Sequence, residues 1–154
     1  MPVAKSALFR MDLRNTASLI NGNLFLFSSD DFSNQIFDAV ATSGLPGNQG
    51  LDDIWVRGNG PIPNLPNLKI STEGVNIASN PGIRGMFFPI IPFTFRRADG
   101  HTRSDFGVHF DANVPGSAGC IVIRNRNTFD RFTAIMNETK AAGIETIPLR
   151  IEYT

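Results

Sequence analysis

Cysteine is nearly missing from this chain: one residue of 154, Cys120, carries a thiol. A single thiol excludes an intramolecular disulfide and the cysteine-rich zinc sites that need four ligands. Cys120 is therefore either a small buried hydrophobe or a reactive group. Net charge is missing too, with 14 lysines and arginines against 14 aspartates and glutamates. No overall field is left to hold nucleic-acid phosphates or an anionic membrane, and no nucleic-acid partner is expected. Long apolar runs are lacking as well. The greasiest segment, Met86–Phe95, is interrupted by Pro89 and Pro92 and falls well short of the ~20 residues of a membrane span, so none is expected. The opening MPVAKSALFRMDLRN carries charges at Lys5, Arg10, Asp12 and Arg14 and holds no unbroken apolar stretch long enough for a Sec signal peptide.

What is abundant is turn chemistry. The chain has 13 phenylalanines, 14 glycines and 10 prolines, with its apolar residues in short runs between turn signals, a pattern that predicts a mostly β fold. The length suits one domain over residues 1–154. Strands are expected at Ala7–Leu13 and Leu24–Phe27, paired through an Asn21-Gly22-Asn23 turn. Further strands are expected at Ile54–Val56, Leu68–Ser71, Met86–Phe95 (bent at its prolines), Phe106–Phe110 and Cys120–Arg124, with a hairpin turn at Asp99-Gly100. Phe129, Phe132, Ile135 and Met136 recur at helical spacing, so one helix is expected from Asn127 or Thr128, ended by Gly143. Ile147–Tyr153 alternates and is expected to close the sheet as an edge or hairpin partner. The Pro-rich GNGPIPNLPN is the one long irregular segment that calls for a functional explanation.

Chemistry concentrates in Arg103–Arg124, RSDFGVHFDANVPGSAGCIVIR. There a histidine in a strand-like run precedes a glycine-rich turn and the sole cysteine. A thiol is a weak nucleophile at its free pKa of ~8.5, and an imidazole that takes its proton makes the thiolate that attacks carbonyl carbon. His109 and Cys120 are that minimum pair. Glycine before the nucleophile lets a substrate approach the backbone, and the N–H groups of Gly119 and Cys120 are the expected oxyanion donors.

The run from His109 through Pro115-Gly116-Ser117 to Gly119-Cys120-Ile121 resembles the catalytic signature of the YkuD-type L,D-transpeptidase domain, a histidine followed by S-x-G-C. The resemblance implies a β-sandwich or barrel with one C-terminal α-helix, and an acyl-thioenzyme formed on the peptide stem of peptidoglycan. It assigns His109 as base, Cys120 as nucleophile and the Ser117 carbonyl as the group orienting the imidazole, and it calls for no metal or cofactor. The family's usual histidine before Gly-Cys and arginine two residues after cysteine are Ala118 and Val122 here. Arg103 is the expected substitute for gripping a stem carboxylate, because arginine binds carboxylates bidentately. The eleven-residue step from His109 to Cys120 is short and is similar to the trimmed toxin-like and phage-associated members.

Plainer readings stand beside these. His101, in the Asp99-Gly100 turn, is expected in solvent. Asp105 and Asp111 flank His109, but no second histidine lies at metal-ligand spacing. Phe87, Phe88, Phe93 and Phe95 are expected in the core. The functional expectation is a cysteine-dependent L,D-transpeptidase or L,D-carboxypeptidase/endopeptidase that reaches the cell wall from a phage particle or secretion system, or after lysis. Transpeptidation and hydrolysis share their first half and both remain open. The alternative is a non-catalytic wall-binding or structural component with virion or secretion-system partners.

Overall fold

Alternation along each strand decides which side chains meet. Residues two apart in a strand share a face, so Ala7, Phe9 and Met11 of Ser6–Met11 (β1) turn inward together, as do Leu24 and Leu26 of Gly22–Phe27 (β2) and Phe37, Ala39 and Ala41 of Gln35–Thr42 (β3). The computed structural model describes residues 2–154. It continues through Leu68–Ser71 (β4), Val75–Ile77 (β5), Gly85–Ile91 (β6), Thr94–Arg96 (β7), Thr102–Ser104 (β8), Gly107–Phe110 (β9) and Ile121–Ile123 (β10). The helix Arg126–Ala141 (α1) and the last strand Thr146–Tyr153 (β11) complete it.

Eight strands run β4-β11-β1-β2-β3-β10-β9-β6, and β4 pairs with β6 as well as with β11, which closes the ring into a barrel. Closure leaves these strands no open edge, and eight strands enclose a space that side chains can fill. β5 hangs on β6 outside the ring, and β7–β8 form a separate hairpin across Asp99-Gly100. The fold is thus mostly β with a single C-terminal helix, as expected.

The helix begins at Asn125, whose side chain accepts from the Thr128 N–H at 3.0 Å. It ends where Gly143, at φ +88°, donates to the Lys140 carbonyl. Its buried face carries Phe129, Phe132, Ile135 and Met136 into the same core as the inward strand residues, with Phe132 ringed by Phe37, Phe88 and Phe129. Thr139 accepts from the Ala4 N–H at 3.0 Å and so fixes the start of the chain to the helix.

Several expected elements differ. β1 and β2 do pair antiparallel, but through residues 12–21, with Gly22 already inside β2. Ile54–Val56 is a turn after the 3-10 segment Leu51–Asp53, because the Asp53 side chain accepts from the Gly50 N–H and its carbonyl from the Val56 N–H. β3 and β5 lie outside the sequence expectation. β11 is an interior member of the ring, parallel to β1 and antiparallel to β4, not an edge. No helix is long and apolar enough to cross a membrane among the described residues.

Candidate active site

Two neighbouring parallel strands carry the site. The register Ile121↔Val108, Val122↔His109, Ile123↔Phe110 joins β10 to β9. Val108, Ile121 and Ile123 belong to the core, so His109 and Val122 turn to the opposite face of the wall. Cys120 stands immediately before β10 and lines one cavity with His109. The sequence motif thus lands as one local unit, although its two halves come from strands joined by a crossover.

The crossover is held by its own polar groups. Asp111 Oδ2 accepts from the Gly116 N–H at 3.1 Å and pairs with Arg124 Nε at 2.9 Å. Burial, more than either partner, sets the Asp111 carboxyl above the usual range. The Ser117 N–H donates to the Gly44 carbonyl at 3.0 Å, and its hydroxyl donates to the Cys120 carbonyl at 2.5 Å. Ser43 Oγ donates to the Gly119 carbonyl at 2.9 Å while accepting from the Ile62 N–H at 2.8 Å. Gln49, also buried, donates to the Ser43 carbonyl at 3.0 Å. The turn of residues 43–50 therefore backs the loop of residues 117–120.

His109 is 6% exposed, and its ring stacks on Phe87 with centroids 5.9 Å apart. Nδ1 lies 2.8 Å from the Phe110 carbonyl. A carbonyl only accepts, so Nδ1 carries the proton and Nε2 is left as the acceptor, the form a general base requires. Burial holds the imidazole below its ordinary pKa, and the Phe110 contact opposes that. Cys120 is half-buried and donates to the Asp105 carbonyl at 3.6 Å instead of to the imidazole. Burial pushes the thiol up to about 11, against a backbone hydrogen bond from Gly107 and the charge of Arg103. In this arrangement thiol and imidazole are both neutral.

Two cavities meet at the thiol. One, of about 350 Å³, is lined by His109, Cys120, Ser117 and Ala118. The other, of about 380 Å³, is more aromatic, with Phe87, Phe93 and Phe106 beside Cys120 and Asp105. Asn80 and Ile83, from the connection between β5 and β6, line both. The result is a groove that passes over Cys120 from either side.

Several expected roles move. The carbonyl that orients the imidazole is Phe110, next to His109 in its own strand, and not Ser117, whose hydroxyl staples the loop. The Gly119 N–H, an expected oxyanion donor, already makes a long 3.3 Å contact to Ser117 Oγ. Arg103 does not face the groove as a carboxylate grip. It is 4% exposed and donates to four backbone carbonyls, those of Ile54, Gly60, Pro61 and Ala118, at 2.5–3.0 Å. Arg57 is engaged with Thr102, Arg97 with Asp99 and Arg124 with Asp111, and among the described residues no lysine or arginine lines either cavity. His101 is exposed beside Asp99. The phenylalanine cluster divides: Phe88 and Phe95 are core, Phe87 backs His109 and Phe93 is 69% exposed at the groove.

Ser43, Gln49 and Asn80 are site residues that the sequence reading does not single out, and Phe87, expected in the core, stacks on His109 instead. The run Gly85–Ile91 is apolar throughout, so nothing in it tells which of Phe87 and Phe88 turns away from the core. Comparison of the chain with protein-family models, with curated proteins and with solved structures finds no match in any of the three.

Proposed function

We propose that the chain is a cysteine acyl-transfer enzyme of the L,D-transpeptidase kind, acting on the peptide stem of peptidoglycan. The observation that carries the reading is the placement of His109 and Cys120 on the wall of one cavity, with the imidazole already in the tautomer that accepts a proton at Nε2. The single helix on a closed β-barrel is compatible with it.

The chemistry follows from the neutral starting pair. When a substrate carbonyl enters the groove, the thiol leaves the Asp105 carbonyl and passes its proton to Nε2 as sulfur bonds to carbon. Backbone N–H groups of the nucleophile loop meet the oxyanion. The carbon–nitrogen bond then breaks, the imidazolium returns the proton to the leaving amine, and a second amine or water cleaves the thioester. With no lysine or arginine lining the groove among the described residues, the stem is held by its backbone and apolar portions and by Asn80 and Asn113. A free stem carboxylate gains no ion pair there.

A second reading, a non-catalytic wall-binding component delivered by a virion or secretion apparatus, draws support from the raised thiol pKa and its bond to Asp105. Purified protein incubated with muropeptides, with and without prior alkylation of Cys120 at alkaline pH, separates the two. The enzyme reading expects altered muropeptides from the untreated protein alone. Product that survives complete alkylation removes Cys120 from the mechanism, and muropeptide binding without turnover favours the second reading.

A further inference from the structure

Arg103 carries a positive charge into a place where, among the described residues, no carboxylate answers it. The side chain is 4% exposed, its four hydrogen bonds all end on neutral carbonyls, and among the described residues no carboxylate forms an ion pair with it. Its guanidinium lies over the Phe106 ring, 5.0 Å from the centroid. Buried charges are ordinarily paired, because desolvation alone is costly. The four carbonyls take up the N–H groups of Nη1 and Nη2 and leave its charge unbalanced.

The placement is specific. Three of the carbonyls come from residues 54–61, which include the Gly-Asn-Gly-Pro turn, and the fourth is Ala118, two residues before the nucleophile. A Cβ on Gly119 would come within 2.5 Å of Arg103 Nη2, so the guanidinium passes directly against the residue before Cys120. The groups able to become negative around it are the Cys120 thiol and the Tyr153 hydroxyl. Tyr153 donates to the Ile62 carbonyl, and burial pushes it far above its ordinary pKa. Asp105 carries the nearby carboxylate that opposes a thiolate, and His109 is the remaining titratable group at the groove. Cys120 is the one member of this set positioned to turn anionic during acyl transfer.

We infer that Arg103 is a positioning residue that clamps the nucleophile loop to the 54–61 loop and supplies the buried counter-charge for the Cys120 thiolate. This rests on the acyl-transfer reading for its purpose, but not for its test. It also explains the long irregular segment: the GNGP turn provides carbonyls, and a planar guanidinium with five donors is the side chain that can gather four of them.

The experiment is the pH profile of Cys120 alkylation by iodoacetamide, read by mass spectrometry on folded protein without any substrate. Arg103→Gln is expected to move the midpoint upward by about half a pH unit or more, because the counter-charge is gone. Arg103→Lys, which keeps a charge but has three donors for four carbonyls, is expected to shift less than Arg103→Gln. On muropeptides both variants are expected to lower kcat by roughly tenfold or more with KM within about threefold, the split of a group that acts on the reacting atom and not on binding. A Gln profile that superimposes on the wild type overturns the inference, and so does a Lys shift as large as that of Gln. Should Arg103→Gln fail to fold, the same alkylation profile on Arg103→Met, which fills the space without a charge, decides: an upward midpoint is expected, and superposition on the wild type overturns the counter-charge. Absence of turnover in the wild type refutes the acyl-transfer reading while leaving the alkylation profiles to judge Arg103.

Discussion

The His109 imidazole stacks on Phe87 with the two planes 29° apart, and the same Phe87 ring occupies the space where a side chain on Gly107 would begin. A Cβ at Gly107 would meet that ring at 2.3 Å. Gly107 stands beside Cys120 in the parallel register, one residue before the Val108↔Ile121 pair. The bare position thus lets one aromatic ring press on the imidazole while the backbone stays close to the thiol.

Cys120 is expected to react slowly at neutral pH in the absence of substrate. With its thiol pushed up to about 11, the thiolate is scarce at pH 7, and iodoacetamide labelling should run roughly tens to hundreds of times slower than for a free cysteine. The rate should climb steeply between pH 8 and about 11. Labelling at pH 7 as fast as free cysteine would show that the thiol is not held in its neutral form by its surroundings. Cys120→Ala should abolish turnover while keeping the fold.

His109→Gln should remove the base and slow acylation by about a hundredfold or more at neutral pH. It should also alter the pH dependence of stability. The folded imidazole has a pKa below its ordinary value, so the unfolded chain takes up a proton first as pH falls. Stability contributed by the neutral imidazole is therefore present above the unfolded pKa of ~6.5 and is lost as pH drops from there toward the folded value. Thermal melts of wild type and His109→Gln between pH 5 and 8 test this. Parallel curves would deny the buried neutral imidazole.

Gly119→Ala should cost about 2–4 kcal/mol and disturb the site together with the fold. Its φ of +130° lies where side chains are strained, and the new methyl would meet both Arg103 Nη2 at 2.5 Å and the Phe106 ring at 2.6 Å. Denaturant melts measure the loss, which should exceed that of Gly100→Ala, where φ is +93° and nothing lies within 4 Å. Equal losses would mean that backbone strain alone, and not the contact with Arg103, makes glycine necessary.

Much of the chain was legible before folding was considered. The spacing of Phe129, Phe132, Ile135 and Met136 and the Gly143 stop are local properties, and α1 follows them. The hairpin at Asp99-Gly100 and the nearness of His109 to Cys120 are likewise short-range, since they depend on turn chemistry and strand period. Closure of the barrel is different, because β4 pairing with both β11 and β6 joins residues far apart in the chain, and no local signal distinguishes a ring strand from an edge. β3 escaped because polar Asp38 interrupts an otherwise apolar run, which reads as a strand only once its outward face is known. Arg103 shows the limit most plainly. The sequence marks it as a cation near the base, and the physics of an isolated arginine favours a carboxylate in solvent. Only the tertiary structure brings the carbonyls of Ile54, Gly60, Pro61 and Ala118 to one point, and a guanidinium surrounded by them is held from within the fold.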